Sequence, residues 1–139
     1  MRVDAIIDAS VLAAAFFNED RSTDARRWLR DGPHLVAPDL LRIEIASIAA
    51  KKIWKSEASR EAADRALEAI DDFVGWLEPS KSLVGPALKL AAEHRFSAYD
   101  ATYLALAASE GVALVTFDEK LITRANEAGL TGLATGLSV

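Results

Sequence analysis

The chain has 139 residues, 51% apolar and 27% charged, which fits one soluble globular domain over residues 1–139 with a sizeable core. It has no cysteine, so disulfides and thiolate metal sites are excluded, and a cytoplasmic location is expected. The formal net charge of −5 argues against nucleic-acid binding through overall charge, although a local basic strip stays open.

Residues 3–7 (VDAII) form a short apolar run that predicts a strand. Residues 10–17 predict a helix. The surrounding run 9–17 is too short to span a bilayer, and it follows Asp4 and Asp8 rather than a basic segment, which makes a poor signal peptide. Ser22 can cap a second helix, STDARRWLR, ending at Gly32. Residues 34–37 (HLVA) predict a second strand, and Pro38 is placed for the first turn of a helix over 38–55. Residues 59–74 predict an amphipathic helix with Ala63, Leu67, Ile70 and Val74 on one side. Trp76 and Leu77 predict a short strand, followed by a helix over 82–94 with Gly85 and Pro86 in its first turns. The segment SAYDATYLALA predicts a helix ending before Gly111. Residues 112–116 (VALVT) are the clearest buried strand; a helix over 119–128 closed by Gly129 and an edge strand over 130–134 complete the chain. Strands alternating with helices give an α/β class with a mainly parallel sheet. In such sheets ligands bind beyond the carboxyl ends of the strands.

Four acids lie in or beside these apolar elements. Asp8 ends the first strand, Asp118 follows VALVT, Asp100 lies in the first turn of its helix, and Glu44 interrupts a helix among Leu40, Leu41, Ile45 and Ile48. Each has a plain reading. Asp8 and Asp118 can cap the helices that follow them, and Asp100 falls at N3 of a helix capped by Ser97. Glu44 can be a solvated helix residue. The combination says more. If the strands align, the carboxylates converge at one end of the sheet, where two charges 4 Å apart repel by about 4 kcal/mol at an effective dielectric of 20. Such a cluster must bind protons or a cation, and an all-oxygen donor set favours Mg²⁺ or Mn²⁺.

The segments IIDAS with Asp8, the mid-helix Glu44 after Pro38, SAYDATYLALA with Asp100, and VTFD with Thr116 and Asp118 together resemble the PIN domain. Size and element order resemble its VapC-type toxins more narrowly. One departure is Ala9, where many members carry Thr; Ser10 is kept. The resemblance implies a three-layer α/β/α fold and a metal-dependent endoribonuclease, the toxin of a toxin–antitoxin pair. It implies that Asp8, Glu44, Asp100 and Asp118 form an acidic pocket. Asp8 and Asp100 would bind Mg²⁺ directly, and Asp118 would complete the shell or act through water. Glu44 would orient or deprotonate the attacking water, and Ser10 and Thr116 would supply hydrogen bonds that fix the ligands. It further implies an RNA substrate, a cognate antitoxin, a homodimer and no membrane association.

Rival schemes lack parts. His34 and His94 are not spaced as a ligand pair. A receiver-like phosphoacceptor module would find Lys120 near Asp118, but it wants an adjacent acidic pair where Asp8 is followed by Ala9. A haloacid-dehalogenase-like phosphatase wants D-x-D where the chain reads Asp8-Ala9-Ser10. A PIN nuclease of RNA processing, outside any toxin system, and a non-catalytic module whose acids are only caps complete the alternatives. Two basic groups, Arg26, Arg27 and Arg30 on one helix and Lys51, Lys52 and Lys55 on another, read either as a phosphate-guiding strip or as solvated faces. Trp28, Trp54 and Trp76 read as core or interface anchors, and His94 as a helix-terminal residue.

Overall fold

The structure is a computed structural model and describes residues 2–137. The elements follow in the order β1 (Ala5–Ile7), α1 (Ala9–Phe16), α2 (Ser22–Arg30), β2 (Leu35–Pro38), α3 (Leu40–Trp54), α4 (Arg60–Phe73), β3 (Val74–Glu78), α5 (Ser80–His94), α6 (Ala98–Glu110), β4 (Leu114–Val115), α7 (Glu119–Glu127) and β5 (Ala134–Thr135). The five strands form one parallel sheet in the order β3-β2-β1-β4-β5.

Strand residues alternate between two cores, which makes the three layers. Ala5, Ile7, Leu35, Ala37 and Val115 face a core built with α1 to α4. Ile6, Val36, Leu114 and Ala134 face the other, built with α5 to α7. Helices therefore cover both faces, so the short inner strands β1 and β4 are apolar and buried throughout, as central parallel strands must be. The expected α/β/α layering with a short-stranded parallel sheet is what the chain adopts.

Several local expectations need correction. Pro38 does not open a helix. It is the buried last residue of β2, and the next backbone N–H, that of Asp39, donates to Glu78 O across the sheet (2.9 Å). Ser22 is not a cap. It lies inside α2, where its buried hydroxyl donates to Phe17 O (2.7 Å) and accepts from Glu19 N (2.8 Å), tying down the preceding loop. Val74 leaves the helix and starts β3. α5 begins at Ser80, so Pro86 sits well inside it. The final strand falls at Ala134–Thr135, because Gly129 and Gly132, at φ of 84° and 74°, spend the residues before it on turns. Trp28 packs against the first core, but Trp54 and Trp76 are 77% and 52% exposed, so neither is a core anchor. His94 does end α5.

Candidate active site

From β1 the chain order runs outward through β2 and β3 on one side and through β4 and β5 on the other. The direction of winding reverses between β1 and β4, and a crevice opens beyond the carboxyl ends of strands at such a point. Asp8 follows β1 there and Thr116 follows β4.

Asp8 is fixed by four donors. Its Oδ1 accepts from Ser10 N (3.0 Å), Val11 N (3.3 Å) and Ser10 Oγ (2.6 Å), while Oδ2 accepts from the Thr116 hydroxyl. The two hydroxyls also accept. Ser10 Oγ takes Phe117 N–H (3.1 Å) and Thr116 Oγ1 takes Asp118 N–H (3.0 Å). Ser10 and the wholly buried Thr116 thus stitch the turn after β1 to the turn after β4 through Asp8. The capping readings of the acids hold as well. Asp8 caps α1, Asp118 Oδ1 caps α7 through Leu121 N (3.1 Å), and Ser97 Oγ caps α6 through Asp100 N (3.1 Å). A cap uses one face of a carboxylate and leaves the rest available.

α3 and α6 bring the other two acids. Glu44 lies five residues into α3 and Asp100 in the first turn of α6. Burial raises the Asp8 carboxyl above the usual range, against the pull of its hydrogen bonds from Ser10, Thr116 and Val11. Burial also raises Glu44, joined by the charges of Asp8 and Asp100 and partly offset by Tyr103. Asp100 is raised by burial and by the charge of Asp118, against Ser97 and Arg124. The structure therefore places Asp8, Glu44, Asp100 and Asp118 in one electrostatic cluster.

All the donors are oxygen. Among the described residues, no three acidic or imidazole groups stand close enough to wrap one ion as they are. The arrangement does not fit an all-protein cage. It fits a magnesium ion, which takes one or two carboxylates and keeps several waters. Glu44 Oε1, buried without a hydrogen-bond partner, marks an unmet demand for a donor or cation at this spot.

The raised carboxyls carry a pH consequence. A folded chain with pKa values above the ordinary 3.8 and 4.5 binds protons more tightly than the unfolded chain. Its stability is therefore greatest on the acid side and falls as pH climbs through the raised values. The Asp4 carboxyl, lowered chiefly by its hydrogen bond from His34 N, works in the opposite sense and only below its ordinary value. Without divalent metal, melting should be higher at pH 5 than at pH 7.5. Adding Mg²⁺ should narrow that gap by stabilising the pH 7.5 sample more, and calorimetric scans at the two pH values check this.

A groove of about 680 Å³ leads away from Ser10 and Phe117. Arg21, Lys51, Lys52 and Lys55 line it, but so do Glu19, Asp20 and Glu57, and Lys52 is drawn toward Glu19 (3.7 Å). The lysine group thus lies beside the site on a wall of mixed charge. Arg26 is a clamp on Ala15 O (2.9 Å) and Phe17 O (3.1 Å), while Arg27 and Arg30 are solvent-exposed. Tyr103, which faces the acids from α6, escaped the sequence reading because its helical spacing marks it as core.

The chain matches the PIN domain family over residues 5–127. It is 31% identical over 118 residues to ribonuclease VapC3 of Pyrobaculum aerophilum, covering 84% of this chain and 90% of that one. The crystal structure of PAE2754 from the same organism superposes with a TM-score of 0.73 at 26% identity, covering 96% of this chain and 83% of that one. A toxin–antitoxin complex from Klebsiella pneumoniae has the same fold, with a TM-score of 0.68 at 20% identity over 97% of both chains.

Proposed function

The chain belongs to the PIN-domain family, among the VapC-type ribonucleases, and from that premise we propose that it is the toxin of a toxin–antitoxin pair, a divalent-metal-dependent endoribonuclease working through Asp8, Glu44, Asp100 and Asp118. The observation that carries this reading is the meeting of these four acids at the switch point between β1 and β4. The raised carboxyls of Asp8, Glu44 and Asp100 are destabilising for the fold by themselves, and perturbed groups of this kind cluster at sites of chemistry.

Asp8 and Asp100 are the groups that would hold Mg²⁺, or Mn²⁺, directly, with Asp118 beside them or acting through water. When bound, the ion supplies charge neutralisation at a phosphate oxygen and makes a bound water more acidic. The protein's own part is positional. Ser10 and Thr116 hold the Asp8 carboxylate in one orientation, and Asp8 in turn anchors the start of α1. Glu44 is half-buried, and burial together with the charges of Asp8 and Asp100 raises its carboxyl above the ordinary value, which makes it a stronger base toward a nearby water. Water attack in line with the leaving 3′ oxygen gives a 5′-phosphate and a 3′-hydroxyl. No group here calls on the 2′-hydroxyl as nucleophile.

An antitoxin that covers the acidic crevice and a homodimer belong to this reading. Exposed apolar side chains support contacts of that kind: Ile43 and Trp54 on α3, Val84 and Leu88 on α5, between 61% and 77% exposed. The apolar face of α4, in contrast, is spent on the core through Ala63, Ala66 and Ile70. Among the described residues no helix is long and apolar enough to cross a membrane, and a cytoplasmic location is part of the proposal. Purified protein should cleave single-stranded RNA with Mg²⁺ and stop on chelation. Expression should arrest growth, and D8A should do neither. Metal-independent cleavage, or arrest by D8A, would remove the reading.

A further inference from the structure

Among the described residues, Glu44 Oε1 and the Tyr103 hydroxyl are buried polar atoms with no hydrogen-bond partner. They meet at one place. Tyr103 is 4% exposed and lies one turn after Asp100 on α6, on the side that faces Glu44 of α3. A buried hydroxyl without a partner weakens a fold, and phenylalanine would fill the same space without that cost. The hydroxyl needs a use.

Its chemistry suggests one. Burial, then the charge of Glu44, then those of Asp8 and Asp100 all disfavour the phenolate, so Tyr103 is a fixed hydrogen-bond donor at any working pH. Glu44 offers an acceptor oxygen that nothing else satisfies. The two side chains stand close enough for each to shift the other's ionisation.

We propose that Tyr103 is a positioning residue for the reaction: its O–H donates to one oxygen of Glu44 and leaves the other oxygen aimed at the attacking water. The inference rests on the ribonuclease reading of the site. Tyr103 touches neither RNA nor metal in this scheme, and acts only through Glu44. A carboxylate held by one hydrogen bond keeps its charge and its direction, which a water-orienting base needs.

The chain has two tyrosines, and the other, Tyr99, is 67% exposed and outside the site. In Y99F protein labelled on tyrosine, the single ring C–O stretch belongs to Tyr103. It should report a donor to carboxylate and move to the free-phenol position in Y99F/E44L. A band that ignores E44L overturns the pair. For catalysis, Y103F should keep wild-type KM and lose about 10- to 100-fold in kcat. In an E44Q background the same change should alter kcat by less than about twofold, because the two residues act as one unit. An undiminished kcat in Y103F, a loss expressed in KM, or an equal loss in the E44Q background overturns the proposal. If Y103F does not fold, the infrared comparison still decides it. If the wild-type chain cleaves no RNA, the ribonuclease reading fails, and the infrared band still settles whether Tyr103 and Glu44 are paired.

Discussion

Replacing Asp100 by asparagine should cut RNA cleavage on the order of 10³-fold, the scale for removing a charge-stabilising group from a reaction centre, while leaving the protein folded and slightly more stable. Asparagine keeps the shape, and the Ser97 cap bonds to the backbone N–H of residue 100, so the start of α6 is untouched. What changes is charge. The substitution relieves the burial of a carboxylate and its repulsion with Asp118 and Glu44, and it gives up attraction to Arg124 and to the helix start. Relief outweighs loss because burial and repulsion already raise the carboxyl above its usual range. A gain of about 1 kcal/mol appears as roughly 4 °C in melting temperature for a chain of this size. Cleavage assays and melting curves on one preparation read both effects. Wild-type turnover in D100N would mean that Asp100 serves the helix start and nothing more.

Thr116 should show the opposite balance. T116V keeps the volume and removes a hydroxyl that donates to Asp8 Oδ2 and accepts from Asp118 N–H. Asp8 then loses one of its four donors, the Asp118 N–H loses its acceptor, and the two turns lose a stitch. Leaving such groups unsatisfied costs about 2–3 kcal/mol, or roughly 10 °C in melting temperature. Activity should fall about 10- to 100-fold as the Asp8 carboxylate loosens. T116S, which keeps the hydroxyl, should recover most of both. If T116V and T116S melt and turn over alike, the hydroxyl is not what orders the site.

The acids were legible because their signals are local. A carboxylate at a strand end or in a first helical turn is visible within a few residues, as at Asp8, Asp100 and Asp118. The same locality explains the errors. Pro38 suits the first turn of a helix and also the last position of a strand, and only the partner strand β3 decides for the second. Val74 continues the helical spacing of Ala63, Leu67 and Ile70, but that position is equally apolar as the start of β3. Ser22 reads as a cap until the loop it binds, Phe17 to Glu19, is in place. The nearness of Glu44 on α3 to Tyr103 on α6 joins segments far apart in the chain, and nothing local to either announces it.

The central claim is that these acids direct a metal-activated water at an RNA phosphodiester. Its most direct test is the end chemistry of the products. One defined RNA, cut briefly by purified protein with Mg²⁺, should carry 5′-phosphate and 3′-hydroxyl ends, with no cut by D8A under the same conditions. A 2′,3′-cyclic phosphate at the cut, or equal cutting by D8A, would contradict the account.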